Sequence, residues 1–202
     1  MQLLAFFAIV GLAYPAQGLR TVDPLPPQPW ANEAKYGPYQ DAWKSVNQND
    51  TTKYWLVMAT FNDDGASWGR EFQCLSVQEK NRIETNKSVV SVFTFQNATG
   101  NYTVEEQVQA IFQYNYSTTE NAIQYTLKNG TKLNDTLIFS DNRCDIFHVP
   151  HMNNGNGCEL WVKEEYINNV PSSCLFIYKF FCVNVTSYEI YNENCTKIQV
   201  PK

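Results

Sequence analysis

Val104-Glu-Glu-Gln-Val-Gln-Ala-Ile-Phe-Gln-Tyr114 decides the fold. Read with period two, Val104, Glu106, Val108, Ala110, Phe112 and Tyr114 share one face. That alternation predicts a half-buried strand, with an acid in its inward row. The same reading repeats downstream. Leu133, Asp135, Leu137 and Phe139 form one row, Asp145 joins Phe147 and Val149, and Glu159 joins Trp161. A lone buried carboxylate is costly, so it neutralises or finds a partner. Four of them on the inner faces of one sheet point to a pocket built for a cation.

Working outward, strand-like runs follow at short spacing. They cover Lys53–Asn62, Trp68–Val77, Ser88–Gln96, Tyr102–Asn115, Asn121–Leu127, Lys132–Ser140, Cys144–Val149 and Cys158–Lys163. The breaks carry turn chemistry, as in Asp64-Gly65, Asn129-Gly130 and Asn154-Gly155. Eight antiparallel strands with hairpin links predict an all-β up-and-down barrel or a sandwich. Residues 21–29 are proline-rich and read as an extended entry. A short helix is expected between Trp30 and Asn47 around Trp43, and a second from Pro171 to about Val183.

The chain opens with a short apolar stretch, and Ala16 and Gly18 are small residues suited to a cleavage site after Gly18. Residues 1–18 therefore read as a secretory signal peptide, and 19–202 as a single domain of a secreted, extracellular protein. The six cysteines, Cys74, Cys144, Cys158, Cys174, Cys182 and Cys195, read as three disulfides in that compartment. Their spacing does not suit zinc. Sequons begin at Asn49, Asn86, Asn97, Asn101, Asn115, Asn129, Asn134 and Asn184, with a ninth at Asn194 whose middle residue is Cys195. That density predicts a glycoprotein. Asn134 alternates with Asp135, so an outward Asn134 places Asp135 inside. The formal net charge of −5 argues against nucleic acid and against an anionic membrane surface as partners.

Other motifs give little chemistry. Gly65-Ala-Ser67-Trp-Gly69 matches a nucleophile elbow, but the residues after it read as a strand, so a hairpin turn is expected. The two histidines, His148 and His151, read as loop residues near Pro150, without a third metal ligand. No catalytic residue, cofactor or metal is predicted. Trp43, Trp68, Trp161, Tyr125 and Phe61 are candidates to line a cavity and offer their faces to a cation, and Trp43 could equally plug one end.

Several landmarks resemble the tick salivary lipocalins known as histamine-binding proteins. They are Pro29-Trp-Ala-Asn-Glu-Ala, Gln40-Asp-Ala-Trp-Lys-Ser45, Ser140-Asp-Asn-Arg-Cys-Asp145 with Val149-Pro150 after it, Cys158-Glu-Leu-Trp161, and Pro171-Ser-Ser-Cys174. They recur in order over nearly the whole chain after residue 18. The resemblance implies an eight-stranded lipocalin barrel with a helix near each end of the sequence. It implies a monomer in saliva that sequesters host histamine or serotonin, without catalysis. One acidic pocket would fall on Phe61, Asp64 (or Asp63), Trp68, Glu106, Tyr125, Leu133 and Asp135. The other would fall on Ser45, Ile123, Asp145, Glu159 and Trp161. The family pattern pairs Cys74 with Cys195 and Cys144 with Cys174, leaving Cys158 for Cys182. Phe61, Ile123 and Leu133 depart from more polar or aromatic residues at those places, which bears on the choice of amine. Related proteins also imply two other readings, a carrier of a lipid mediator or sterol and an immunomodulator that binds a host protein.

Overall fold

Alternating apolar and polar residues build eight strands in the computed structural model, which describes residues 28–182 and 185–197. The expected signal segment, Val183 and the Asn184 sequon lie outside the described residues. The strands are β1 (Lys53–Ala59), β2 (Gln73–Ile83), β3 (Ser88–Asn97), β4 (Gly100–Ile111), β5 (Ala122–Thr126), β6 (Lys132–Ser140), β7 (Cys144–Val149) and β8 (Gly157–Lys163). Each pairs antiparallel with its neighbour in sequence, and β8 returns to β1, with Tyr54 opposite Lys163 and Ala59 opposite Glu159. The result is a closed up-and-down barrel, which removes the long free edges of an open sheet. A two-residue strand, β9 (Tyr188–Glu189), pairs with the end of β1. At Gly157, a Cβ would meet the Val149 carbonyl oxygen at 2.3 Å, so only glycine lets β7 and β8 close there.

The barrel interior is filled by Leu56, Leu75, Val89, Val108, Leu137 and Phe147. One end is sealed by the segment before β1. It carries α1 (Glu33–Tyr36), capped by Asn32, and α2 (Ala42–Val46), capped by Asp41, whose carboxylate accepts from the Lys44 amide. Trp43 is buried in α2 and donates to Glu84 at 3.1 Å, so it plugs this end and is absent from the cavity wall. Gln40 is fully buried. Its amide donates to the carbonyls of Trp30 and Ile138 at 3.0 and 2.9 Å, and accepts from the Tyr116 hydroxyl.

Outside the barrel, α3 (Ser172–Phe181) lies over β7 and β8. Tyr178, Cys174 and Cys182 join Trp30, Ile146, Leu160 and Val162 in a second apolar cluster. Disulfides Cys144–Cys174 and Cys158–Cys182 fasten α3 to those two strands, and Cys74–Cys195 fastens the tail to β2.

Three expectations need correction. The run expected as Trp68–Val77 is a small hairpin, Asp63–Asp64 against Gly69–Arg70, followed by β2 from Gln73 to Ile83. Gly65 to Gly69 is thus a turn within a hairpin. β4 ends at Ile111, so Phe112 is exposed, and Tyr114, at φ +53°, packs edge-on against Trp30 outside the barrel. A bulge between Leu137 and Phe139 turns Phe139 outward, where its ring stacks on Tyr39 at 5.8 Å.

Candidate functional site

Inward residues of all eight strands line one continuous cavity, which has about 830 Å³ of empty space including its open mouth. Its wall carries six carboxyl groups, Asp64, Glu79, Glu106, Asp135, Asp145 and Glu159. Among the described residues, no lysine or arginine lines it. Trp68, Tyr125, Trp161, Tyr54, Phe93 and Phe147 supply aromatic surface between the acids.

Strand register sets their positions. On neighbouring strands Glu79 pairs with Ser91, and Ser91 with Glu106, so two acids flank a serine across β2, β3 and β4. The Ser91 hydroxyl donates to Glu79 at 2.7 Å. Across the barrel, Asp135 pairs with Ile123, Asp145 with Trp161, and Glu159 with Phe147. The Trp161 indole donates to Glu159 at 2.9 Å.

Asp64 comes from the hairpin between β1 and β2, at the end of the barrel opposite α2. It is 3% exposed, and its carboxylate accepts from the amides of Ala66 and Ser67 at 2.9 and 3.2 Å. Asp63 points to solvent beside Arg70, with its side chain 56% exposed. Of the two aspartates left open by the sequence, Asp64 faces the cavity.

Burial raises the proton affinity of Glu79, Glu106, Asp135, Asp145 and Glu159. It pushes Glu79 up to about 7, the Ser91 hydrogen bond opposing it. Burial and then the Asp64 charge push Glu106 up to about 7, against the pull of Lys128. Glu159 rises to about 7 by burial, with its Trp161 hydrogen bond opposing. Asp145 rises to about 7 by burial, with the hydroxyls of Ser140 and Ser45 opposing. Asp135 is raised well above the usual range by burial and then by Glu159, while Tyr125 opposes. Burial, Asp135 and Glu159 in turn hold the Tyr125 hydroxyl protonated. Such a wall holds its protons more tightly than solvated carboxyls do.

Several polar atoms have no partner. One oxygen each of Asp135 and Asp145 is buried without a hydrogen bond, as are both ring nitrogens of His151. His151 Nδ1 lies 3.8 Å from Asp135, too far for a bond. Buried orphan acceptors facing a cavity suit a ligand that brings donors.

Ten of the twelve side chains expected at the two pockets line this cavity: Ser45, Asp64, Trp68, Glu106, Ile123, Tyr125, Asp135, Asp145, Glu159 and Trp161. Phe61 and Leu133 do not. Phe61 packs on Phe72 at 5.9 Å, and Leu133 packs against the apolar core. The two pockets are joined, and Glu159, expected beside Asp145, acts instead on Asp135. Sequence reading also missed Glu79, Ser91 and His151. Continuing the row Leu75, Val77 by one step reaches Glu79, but the following Lys80-Asn-Arg82 hides the strand's length. His148 is a strand residue of β7, its Nε2 hydrogen-bonded to the Gly155 carbonyl at 2.8 Å, whereas His151 turns into the cavity.

A family profile described as Tick histamine binding protein matches residues 30–197. Among curated relatives, the Male-specific histamine-binding salivary protein of Rhipicephalus appendiculatus is 37% identical over 158 residues, 75% of this chain and 78% of the relative. The Female-specific histamine-binding protein 1 of the same tick is 32% identical over 171 residues, 82% of this chain and 87% of that one. Two solved structures share the fold. The AM182 serotonin complex is 21% identical at TM-score 0.57, covering 77% of this chain and 92% of its own. Japanin from Rhipicephalus appendiculatus bound to cholesterol is 15% identical at TM-score 0.51, covering 72% and 95%.

Proposed function

We propose that this chain, which belongs to the tick histamine-binding protein family, sequesters a biogenic amine, histamine or serotonin, inside its barrel. The observation that carries the reading is the cavity wall of six carboxyls without lysine or arginine. A protonated amine entering it sheds water, and carboxylates and aromatic faces replace that water. Burying an ion pair often only breaks even against desolvation, so tight capture needs preformed geometry. The closed sheet supplies it for five of the acids, whose positions register fixes before the ligand arrives, and the hairpin holds Asp64.

Glu106, Asp135, Asp64 and Glu159 surround one end with Trp68, Tyr125 and Trp161. Asp145, Ser45, Glu79 and Ser91 form a second polar group toward α2, where another amine would be held. The chain acts by binding alone, as a salivary, secreted protein. The Ser67 hydroxyl, in a hairpin turn, has no hydrogen-bond partner, and that arrangement gives a nucleophile no base. A neutral sterol is the second reading, favoured by the apolar wall of Val46, Val77, Val108, Ile123 and Val149. An anionic fatty acid would face six carboxyls and is disfavoured.

Replacing Glu106 or Asp135 by its amide tests the amine reading. Each change is expected to weaken amine binding by at least roughly tenfold, the loss of one charge-assisted contact. Unchanged affinity in both variants would rule the acidic cavity out as the amine site.

A further inference from the structure

Both polar atoms of the Asn97 side chain are bonded within the fold. Its Oδ1 accepts from the amide and hydroxyl of Thr99 at 2.9 and 2.7 Å, closing the turn between β3 and β4. Its Nδ2 donates to the Trp68 carbonyl at 2.8 Å. The backbone beyond Trp68 lies directly on that nitrogen: a Cβ at Gly69 would stand 2.8 Å from Nδ2, and Gly69 has φ +79°. Glycine is thus required at 69 both for its backbone angle and for this approach. A second tie runs alongside, from the Ala98 amide to the Arg70 carbonyl at 3.2 Å. Together they hold the hairpin that carries Asp64 and Trp68 into the cavity wall.

Asn97 also begins a sequon, and an N-glycan is attached through Nδ2. Four other sequon asparagines leave that atom unbonded. Asn49, Asn86, Asn129 and Asn134 accept hydrogen bonds through Oδ1 alone. A sugar at Asn97 would exchange one of its two Nδ2 hydrogens for a bulky ring where Gly69 now packs.

We propose that Asn97 is a positioning residue for the cavity wall, and that its sequon stays free of glycan in the folded protein. Through the Trp68 carbonyl it fixes the hairpin, and through the hairpin it fixes Asp64 and the Trp68 ring. The proposal stands whichever ligand the cavity takes.

The test uses full-length protein secreted from a glycosylating cell. Mass mapping of its glycopeptides should find Asn97 bare. Hydrogen exchange then compares N97A and N97D, which lose the donor, with T99A, which abolishes the sequon and the hydroxyl's bond to Oδ1 but keeps the Nδ2 donor and the Thr99 amide bond. In both donor-less variants, the amides of residues 64–70 should exchange faster by roughly five- to tenfold, the worth of one hydrogen bond. The rest of the barrel should be unchanged. T99A, which keeps the bond to the Trp68 carbonyl, should stay closer to the parent at residues 64–70 than either donor-less variant. Histamine affinity should fall with the loss of protection in N97A and N97D and stay near the parent in T99A. Two results would overturn the proposal: a glycan on Asn97 in protein whose hairpin is fully protected, or wild-type exchange in N97D. If the parent binds no amine, the exchange data still decide for or against the latch, and only the amine reading falls.

Discussion

Glu79 and Glu106 stand on either side of Ser91, and with Asp145 and Glu159 they are held up to about 7 by burial. In the unfolded chain these carboxyls return to about 4. Between those limits the folded chain binds more protons than the unfolded one, so stability falls as pH rises through the window. The contribution is fully present below the unfolded value and is lost as pH climbs toward 7. The melting temperature of the ligand-free protein is therefore expected to be higher at pH 5 than at pH 8. A flat profile would mean that the acids are solvated. Asp64 and Asp63 give a second prediction. D64N should loosen the 63–70 hairpin and weaken amine binding, whereas D63N should leave both unchanged, as calorimetry and hydrogen exchange would show. At this scale the sequence was legible wherever alternation held. Glu106, Asp135, Asp145 and Glu159 sit in rows with apolar neighbours, which is why they could be found. His151 sits in a turn without a period, and no pattern could have placed it in the cavity.

Elements were legible where turn residues bounded them. Lys132–Ser140 and Cys144–Val149 are read directly from alternation and their flanking turns. The hairpin at 63–70 was hidden, because a two-residue ladder has too few residues to show a period. Phe139 was misplaced because a bulge reverses the faces and leaves no mark in composition. The entry segment offers a sharp test of what seals the barrel. Gln40 has no contact with solvent and joins Trp30, Ile138 and Tyr116. Q40A would remove a hydrogen bond from two carbonyls and a buried hydroxyl, at a cost of roughly 2–4 kcal/mol in chemical denaturation. A loss near zero would show that water replaces the amide and that the seal lies elsewhere. The double variant C74S/C195S opens the long loop that ties the tail to β2, and is expected to lose about 3–5 kcal/mol. The Cys144–Cys174 and Cys158–Cys182 links to α3 should persist in it.

For the whole molecule, a mildly acidic chain concentrates six carboxyls on the inside of a closed sheet. Overall composition could not reveal this, because a net charge of −5 is unremarked in a chain of this length. Closure is what converts scattered acids into one field, since β8 meets β1 and brings Glu159 and Asp64 to act on Asp135. Burial raises the proton affinity of the acids in the wall, so an amine bound there would displace protons from them. The most direct measurement is calorimetric titration of the glycosylated chain with histamine and then serotonin, near pH 7, in two buffers of different ionisation enthalpy. Saturable, submicromolar binding of at least one amine is expected, with heats that differ between buffers because protons are released. Absence of saturable binding by either amine would contradict the amine reading.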